Sequence, residues 1–372
     1  MSTPPLTLGR IADELKLSRV TVSSVINGKT RERRISEATA SRVNALLIRR
    51  GYVPSRQAIK LRSQSRDTVG ILHTGHLYSH LIEAFNRLAG HYSTQAGGIE
   101  IMLVSPERAL AGLRELIGRR IQSLIWIQTS PSQIGHMDPE ILFGLLSNVT
   151  TVLYNHEFEH PAFDRECVRR RIYLVGADRR GGFATLAARL FALGHRWVAL
   201  PDIAPSQIEN GPEAKGPIPY FVNLVNTFEA RGIRALAMRS CEIEEASAEE
   251  MGRRAADAIL EARRRYPITA ACFRDDEVCA FAMMRLMARG VRIPDDLSVT
   301  GMDDLTLAPA FRIGLTTLRI PVAEMVQRTI HLLARTPAVF RHQLEVPLVE
   351  RQSLAQVPAR GQPPLPRREF FP

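Results

Sequence analysis

From Thr68 to Met302, short apolar runs alternate with stretches of helical periodicity, and this alternation limits the fold more than any other feature of the chain. VGILH (69–73), IEIMLV (99–104), SLIWI (123–127), TVLYN (151–155) and IYLV (172–175) read as strands, as do WVAL (197–200), ALAMR (235–239), AACF (270–273) and LSVTGM (297–302). Between them, helices are expected near 80–95, 107–119, 180–193, 219–231, 247–265 and 276–289, with Gly194, Gly232 and Gly290 closing three of them. Buried strands this short, joined by crossover helices, predict a parallel, doubly wound α/β architecture. The stretch is long enough for two such sheets, and sheets of this kind bind ligands at the carboxyl ends of their strands.

The first 66 residues have a different pattern. In TLGRIADELKLSRVTVSSVIN (7–27), Leu8, Ile11, Ala12 and Leu15 form a helical stripe that breaks at Lys16-Leu17. Ser18 then caps a second helix, whose buried stripe is Val22, Val25 and Ile26 and whose exposed residues are expected to be Arg19, Val20, Ser23 and Ser24. This is the pattern of a helix-turn-helix, with small polar and basic side chains where a major-groove reader meets base edges; a plain helical hairpin fits the same spacing. Ser36 caps a third helix running to about Arg50 with Gly51 as its stop. The expected head core is Ile11, Leu15, Val22, Val25, Ile26, Val43 and Leu47. In the loop KTRERR (29–34), Arg31, Arg33 and Arg34 face either phosphate or solvent.

Charge separates the same two parts. The chain carries +11, and residues 1–66 hold fourteen Arg and Lys against four Asp and Glu, so +10 lies there. Such asymmetry marks one end as the polyanion-binding end. PSRQAIKLRSQSR (54–66) reads as a linker whose one or two helical turns, capped by Ser55 and holding Ala58 and Leu61, order only against a partner. Leu61, amid Arg56, Lys60 and Arg62, is either a wedge for a minor-groove step or an ordinary linker leucine. No run of eighteen apolar residues is present, the N-terminus lacks a secretion signal, and Cys167, Cys241, Cys272 and Cys279 have no metal spacing. A cytoplasmic setting with reduced thiols is expected.

Two motifs invite an enzymatic reading. HEFEH (156–160) satisfies the zinc-protease string, but it follows a strand and meets Pro161, so its histidines do not share a helical face. Gly176, Gly181 and Gly182 lack dinucleotide spacing. No triad, metal helix or phosphate loop is assembled; no catalytic residue, metal or cofactor is expected. His73, His76, His80, His156 and His160 lie on two loops at strand ends, either as an acidic-effector or metal-sensing rim or as exposed loop histidines.

Several longer matches, in order along the chain, carry a resemblance. They are Ile11-Ala12, Thr21-Val22-Ser23, Val25-Ile26-Asn27, Arg42-Val43 and Gly51-Tyr52 in the head, and Pro54, Ala58 and Leu61-Arg62 in the linker. In the core they are VGADRRGGFATLAARLFALGH (175–195), ITAACFRDDE (268–277), IPDDLSVTGMDD (293–304), LTTLRIP (315–321) and VPLVERQSLA (346–355). From about Thr7 to Leu354 the chain resembles the LacI/GalR family of bacterial transcription regulators. The resemblance implies an all-α helix-turn-helix head plus an α/β core of two doubly wound parallel-sheet subdomains, periplasmic-binding-protein-like. It implies a homodimer reading pseudo-palindromic operator DNA, most naturally as a repressor, under a small effector that is often a carbohydrate, with no membrane partner. The expected boundaries are a head at 1–53, a hinge at 54–66, a core at 67–355 and a Pro/Arg-rich disordered tail at 356–372. Within the core, one subdomain takes about 67–176 and 321–338, the other about 177–318 and 340–355.

By the same resemblance, Arg19, Val20, Ser23 and Ser24 contact bases, while Ser18, Thr21, Asn27, Arg31, Arg33 and Arg34 contact the DNA backbone. Ser55, Ala58, Leu61 and Arg62 form the minor-groove hinge, and the cleft is lined by His73, Tyr78, His80, Asn155, Tyr220, Asp276 and Ile320. Asp276 keeps the family's cleft aspartate. Tyr220 stands where the family has an effector-binding Arg, Tyr78-Ser79-His80 replaces Asn-Pro-Phe, Ile320 replaces a polar residue, and Ser24 stands where many members carry Arg. A two-lobed solute-binding protein without gene regulation is the alternative; the basic head argues against it.

Overall fold

The computed structural model describes residues 7–26, 29–50, 68–75, 78–95, 98–128, 137–157, 161–201, 219–238, 247–306, 308–309 and 312–357. Asn27, His76, His160, Cys241, the hinge residues Ser55, Ala58, Leu61 and Arg62, and the tail from 358 lie outside them. The chain divides into Met1–Arg66 and Asp67–Pro372.

In the first unit each helix begins where a hydroxyl can satisfy an orphan N–H. Thr7 accepts from the Arg10 amide (3.4 Å) ahead of α1 (Leu8–Leu15). Lys16, at φ 51°, ends that helix in a left-handed turn. Ser18 accepts from the Thr21 amide (3.0 Å) ahead of α2 (Arg19–Ile26), and Ser36 from Thr39 (3.3 Å) ahead of α3 (Glu37–Arg49). Ile11, Ala12, Val22, Val25, Val43 and Leu46 form the fully buried core, with Leu15, Ile26 and Leu47 partly buried around it. Leu46, three residues after Val43 and on the same face of the helix, takes the central place expected of Leu47, which is partly buried beside it.

The second unit contains two sheets. The first comprises β1 (Val69–Thr74), β2 (Ile99–Val104), β3 (Ser123–Gln128), β4 (Thr150–Tyr154), β5 (Tyr173–Asp178) and β11 (Arg341–Glu345), in the order β11-β5-β4-β3-β1-β2 and parallel throughout. The second comprises β6 (Trp197–Leu200), β7 (Arg234–Ala237), β8 (Ala270–Cys272), β9 (Ser298–Asp303), β10 (Thr316–Arg319) and β12 (Leu348–Val349), in the order β12-β10-β9-β8-β6-β7, with β12 antiparallel to β10. The helices are α4 (Ser79–Ser93), α5 (Ala109–Gly118), α6 (Pro139–Leu146), α7 (Pro161–Arg169), α8 (Arg179–Ala192), α9 (Pro219–Glu229), α10 (Ala248–Ala262), α11 (Asp276–Ala288) and α12 (Val322–Arg335). The strand order reverses between β1 and β3 in one sheet and between β6 and β8 in the other, the positions where doubly wound sheets open a crevice.

The chain crosses between lobes three times: at Asp178-Arg179 into α8, at Ile320-Pro321 into α12, and at Val346-Pro347 from β11 to β12. Arg341–Glu345, expected in the second subdomain, pairs with Leu174–Asp178 in the first sheet, so the last crossing falls later than its sequence suggested. Gly182 makes room there: a Cβ on it would lie 2.8 Å from Val346 Cγ1 and 3.0 Å from the Val346 carbonyl oxygen. A single apolar cluster runs through both lobes, from Ile71, Tyr154 and Val175 to Leu186, Val198 and Phe228. Full burial of each such aliphatic side chain contributes about 1.5–3 kcal/mol.

Two corrections concern helix starts. Pro161, read as a stop, opens α7, since proline at the first helical position lacks only an N–H that no helix would use. α6 follows Asp138-Pro139, where the Asp138 carboxylate accepts from the Glu140 (2.9 Å) and Ile141 (3.3 Å) amides. Among the described residues no helix is long and apolar enough to cross a membrane. Cys167, Cys272 and Cys279 are buried thiols, and burial pushes the Cys167 thiol well above its ordinary range.

Candidate functional site

In the head, α2 presents Arg19 and Val20 outward, Val20 with 63% of its surface exposed. The Arg19 guanidinium lies over Gly9 of α1, where a Cβ would sit 3.0 Å from Nη2 and 3.2 Å from Nε. Thr21 is half-buried, and its hydroxyl pairs with that of Ser18 at 2.8 Å; Ser23 is half-buried too. Ser24 departs from expectation. It is buried, and its hydroxyl donates to the Val20 carbonyl (2.8 Å), the back-bond a helical serine makes when its side chain faces the neighbouring helices. Arg31, Arg33 and Arg34 are exposed and enter no ion pair among the described residues, whereas Arg49 and Arg50 reach Glu14 at 3.8 and 3.0 Å. The loop therefore keeps three guanidinium charges available to a polyanion, whereas the arginines that end the third helix are held by Glu14.

In the core, both sheets turn their carboxyl strand ends toward one another. α4 starts beyond β1 and α11 beyond β8; the Ser79 hydroxyl donates to Glu277 Oε2 (3.1 Å) between those two helix starts. His80, also on α4, places Nδ1 3.0 Å from Asp303 Oδ1 at the end of β9. The two atoms meet without the alignment of a hydrogen bond. Both side chains are buried, and the lobes are thus clasped along one edge by Ser79-Glu277 and His80-Asp303.

Tyr78 precedes α4, 38% exposed, its ring parallel to that of His80 at 6.1 Å. His73 is buried between the carbonyls of Ile127 (3.2 Å from Nδ1) and Gly75 (3.1 Å from Nε2). His156 is buried against Asp164 of α7 (2.7 Å). The three described histidines of the five, His73, His80 and His156, are buried, each against its own neighbours. Among the described residues no group of three His, Cys, Asp or Glu could hold a metal ion.

Asp276 is almost completely buried within its own lobe. Thr317 donates to Oδ1 (2.7 Å) and the Leu305 amide to Oδ2 (3.0 Å). Burial, opposed by the Thr317 hydrogen bond, lifts its pKa to about 8. A side chain at Gly301 would overlap Oδ1. Ile320 is buried in the apolar cluster at the second crossing, and Tyr220 lies on α9 with its side chain outside the described residues. The structure therefore brings Tyr78, His80 and Asn155 to the facing strand ends of the first lobe, and leaves Asp276 and Ile320 in packing roles.

Two arginines escaped the sequence reading. Arg179 begins α8 at the first crossing, is 6% exposed, and donates through Nη2 to Asn155 Oδ1 (2.6 Å). Asn155, just past β4, adopts a left-handed φ of 61°. Arg274, half-buried, follows β8 beside the reversal point of the second sheet. The signal available was positional: a charged residue directly after a strand in a doubly wound sheet stands at its ligand-binding end.

Comparison with known proteins places this architecture. Residues 187–354 match the model of a periplasmic binding protein-like domain. The chain is 24% identical over 330 residues to the HTH-type transcriptional regulator AscG of Escherichia coli, spanning 87% of this chain and 90% of that protein. It is 24% identical over 334 residues to the HTH-type transcriptional repressor PurR of Aliivibrio fischeri, spanning 88% and 91%. The structure of the lac repressor dimer bound to operator and the anti-inducer ONPF has a TM-score of 0.66 at 20% identity, over 94% of this chain and 99% of that one. At that identity the likeness is one of fold.

Proposed function

We propose that this chain, a member of the LacI/GalR family, is a sequence-specific transcription regulator, a repressor that binds a pseudo-palindromic operator as a homodimer. A small effector, a sugar or related metabolite, modulates it from the cleft between the lobes. The observation that carries this reading is the union on one chain of a basic three-helix head and a two-lobed sheet core, in the arrangement of helix-turn-helix regulators matched over 87% and 88% of its length. A solute-binding protein needs only the core; the head has no use without a polyanion. The protein acts in the cytoplasm and carries out no catalysis.

In this reading Arg19 and Val20 meet base edges, Arg19 with the geometry for guanine and Val20 for a thymine methyl, and Ser23 assists. Ser24 reaches a base only if its back-bond to Val20 opens on binding. Ser18, Thr21, Asn27, Arg31, Arg33 and Arg34 hold phosphates, and Ser55, Ala58, Leu61 and Arg62 form the hinge at the operator centre. Tyr78, His80, Asn155 and Tyr220 meet the effector, supported from behind by His73, Asp276 and Ile320.

Binding of the full-length protein to labelled promoter-region DNA across a salt series tests the reading. Affinity should fall steeply and linearly on a log–log plot, and alanines at Arg31, Arg33 and Arg34 should each reduce the slope by roughly one. Leu61→Ala should weaken specific binding and leave nonspecific binding nearly intact; equal loss on both DNAs would remove the wedge. A protein that does not bind DNA at low salt is not a regulator of this kind.

A further inference from the structure

Arg179 is the one described arginine buried beyond nine-tenths, and no described acid neutralises it. Nη2 donates to the neutral amide oxygen of Asn155, while Nη1 is fully buried without a hydrogen-bond partner among the described residues. No described carboxylate lies within ion-pair distance of it, and described acids of this lobe and of the facing strand ends have partners of their own. Asp178, its neighbour in sequence, caps α8 through the Gly181 amide (3.0 Å) and accepts from Gln343 (3.2 Å). Glu83 pairs with Arg87 (2.8 Å), Asp164 with His156, and Asp303 with His80. A guanidinium cannot lose its proton to escape burial, so a buried one without an acid is a strong attractor of anions.

The neighbours specify the kind of anion. Asn155 and Tyr154 are neutral, and the Tyr154 hydroxyl, also buried without a hydrogen-bond partner among the described residues, is close enough for the Arg179 charge to act on it. One guanidinium flanked by two neutral polar groups matches a single negative charge. The opposite lobe adds Arg274 after β8, while its strand-end acids are engaged, Asp304 by Arg319 and Arg351 and Asp275 by the amides that start α11, so the charge facing a ligand comes chiefly from Arg179. Position agrees: Arg179 stands at the carboxyl end of β5, on the crossing between lobes, next to the end of β4.

We propose that Arg179, positioned by Asn155, is the anion anchor of the interlobe cleft, and that the effector is a carboxylate-bearing metabolite of sugar size, a sugar acid and not a neutral sugar. The assignment rests on the cleft being the effector site.

The test uses the full-length protein, titrated by calorimetry and thermal shift with D-glucuronate, D-galacturonate and D-gluconate, with D-glucose and D-galactose as neutral counterparts, and with glucose 6-phosphate. At least one acid should bind, its neutral counterpart should not compete, and Arg179→Gln should weaken the acid by about 10- to 100-fold with partial rescue by Arg179→Lys. Without ligand, Arg179→Gln should melt at the parental temperature or above, because it removes an uncompensated charge. A fall of several degrees would make Arg179 a structural residue and overturn the proposal. Failure of all three acids, neutral sugars bound equally well, or acid binding indifferent to Arg179→Gln would overturn it too, and binding of glucose 6-phosphate alone would overturn the carboxylate class. DNA binding measured alongside separates the two readings. An acid bound through Arg179 that leaves DNA affinity unchanged keeps the anchor and removes the effector role; a neutral sugar that releases DNA from Arg179→Gln removes the anchor and keeps the regulator.

Discussion

Gly9 and Arg19 show how an absent side chain sets the place of another. A Cβ at Gly9 would come within 3.0 Å of the Arg19 guanidinium, so Gly9→Ala must displace the tip of a flexible side chain while leaving the helix backbone in place. Stability should hold or rise by at most about 1 kcal/mol, since alanine is the better helix former. With Arg19 reading a base as proposed, affinity for the operator should fall by about two- to threefold, a fraction of what full loss of a base contact costs; a titration with unchanged affinity would place Arg19 away from the bases. Asp276 makes a different prediction. Its folded pKa of about 8 lies far above an unfolded aspartate, so the folded state holds a proton that the unfolded state releases. Stability from this group is therefore present at low pH and lost as pH rises from about 4 through 8. Thermal melts of Asp276→Asn should show a flatter decline over that range than the parent, and a parallel decline would contradict the assignment. The family resemblance pointed to Asp276 and helical spacing to Ser24 as chemistry-bearing residues, but neither gave the direction of the side chain, because burial of a single polar group depends on partners distant in sequence, Thr317 for one and the other head helices for the other.

At the scale of elements, much was readable because local physics decided it. Strands β2 and β6 fall on the residues their apolar runs marked, and α1 to α3 start at the hydroxyl caps their sequences carry. What was misread lay where one signal has two uses. Pro161 both ends what precedes it and starts α7, and β11, with exposed Arg341 and Glu345 and only Leu344 fully buried, carries no apolar run because it edges its sheet. The lobe contacts were invisible for the same reason that β11 was: they are settled by tertiary position. His80 and Asp303 meet across the lobes while buried, so a double-mutant cycle, His80→Ala with Asp303→Ala, should give a coupling of about 1–3 kcal/mol in unfolding free energy. Additive losses would mean that the clasp contributes nothing beyond its separate halves.

The whole molecule joins a basic head to a core whose two sheets face each other at their ligand-binding ends, with three chain crossings between them. The division of labour was legible from the charge asymmetry and from the change in periodicity after residue 67. The source of charge in the cleft was not, since Arg179 stands out only once its burial and its single amide partner are known. If the molecule is a switch, its head must choose DNA by sequence as well as by charge. Incubating the full-length protein with sheared DNA of the source genome, and sequencing what it retains, measures this directly. The account predicts a few fragments sharing an inverted repeat, bound about a thousandfold more tightly than a scrambled control. Retention of fragments without a common repeat, with affinity that follows salt alone, would contradict it.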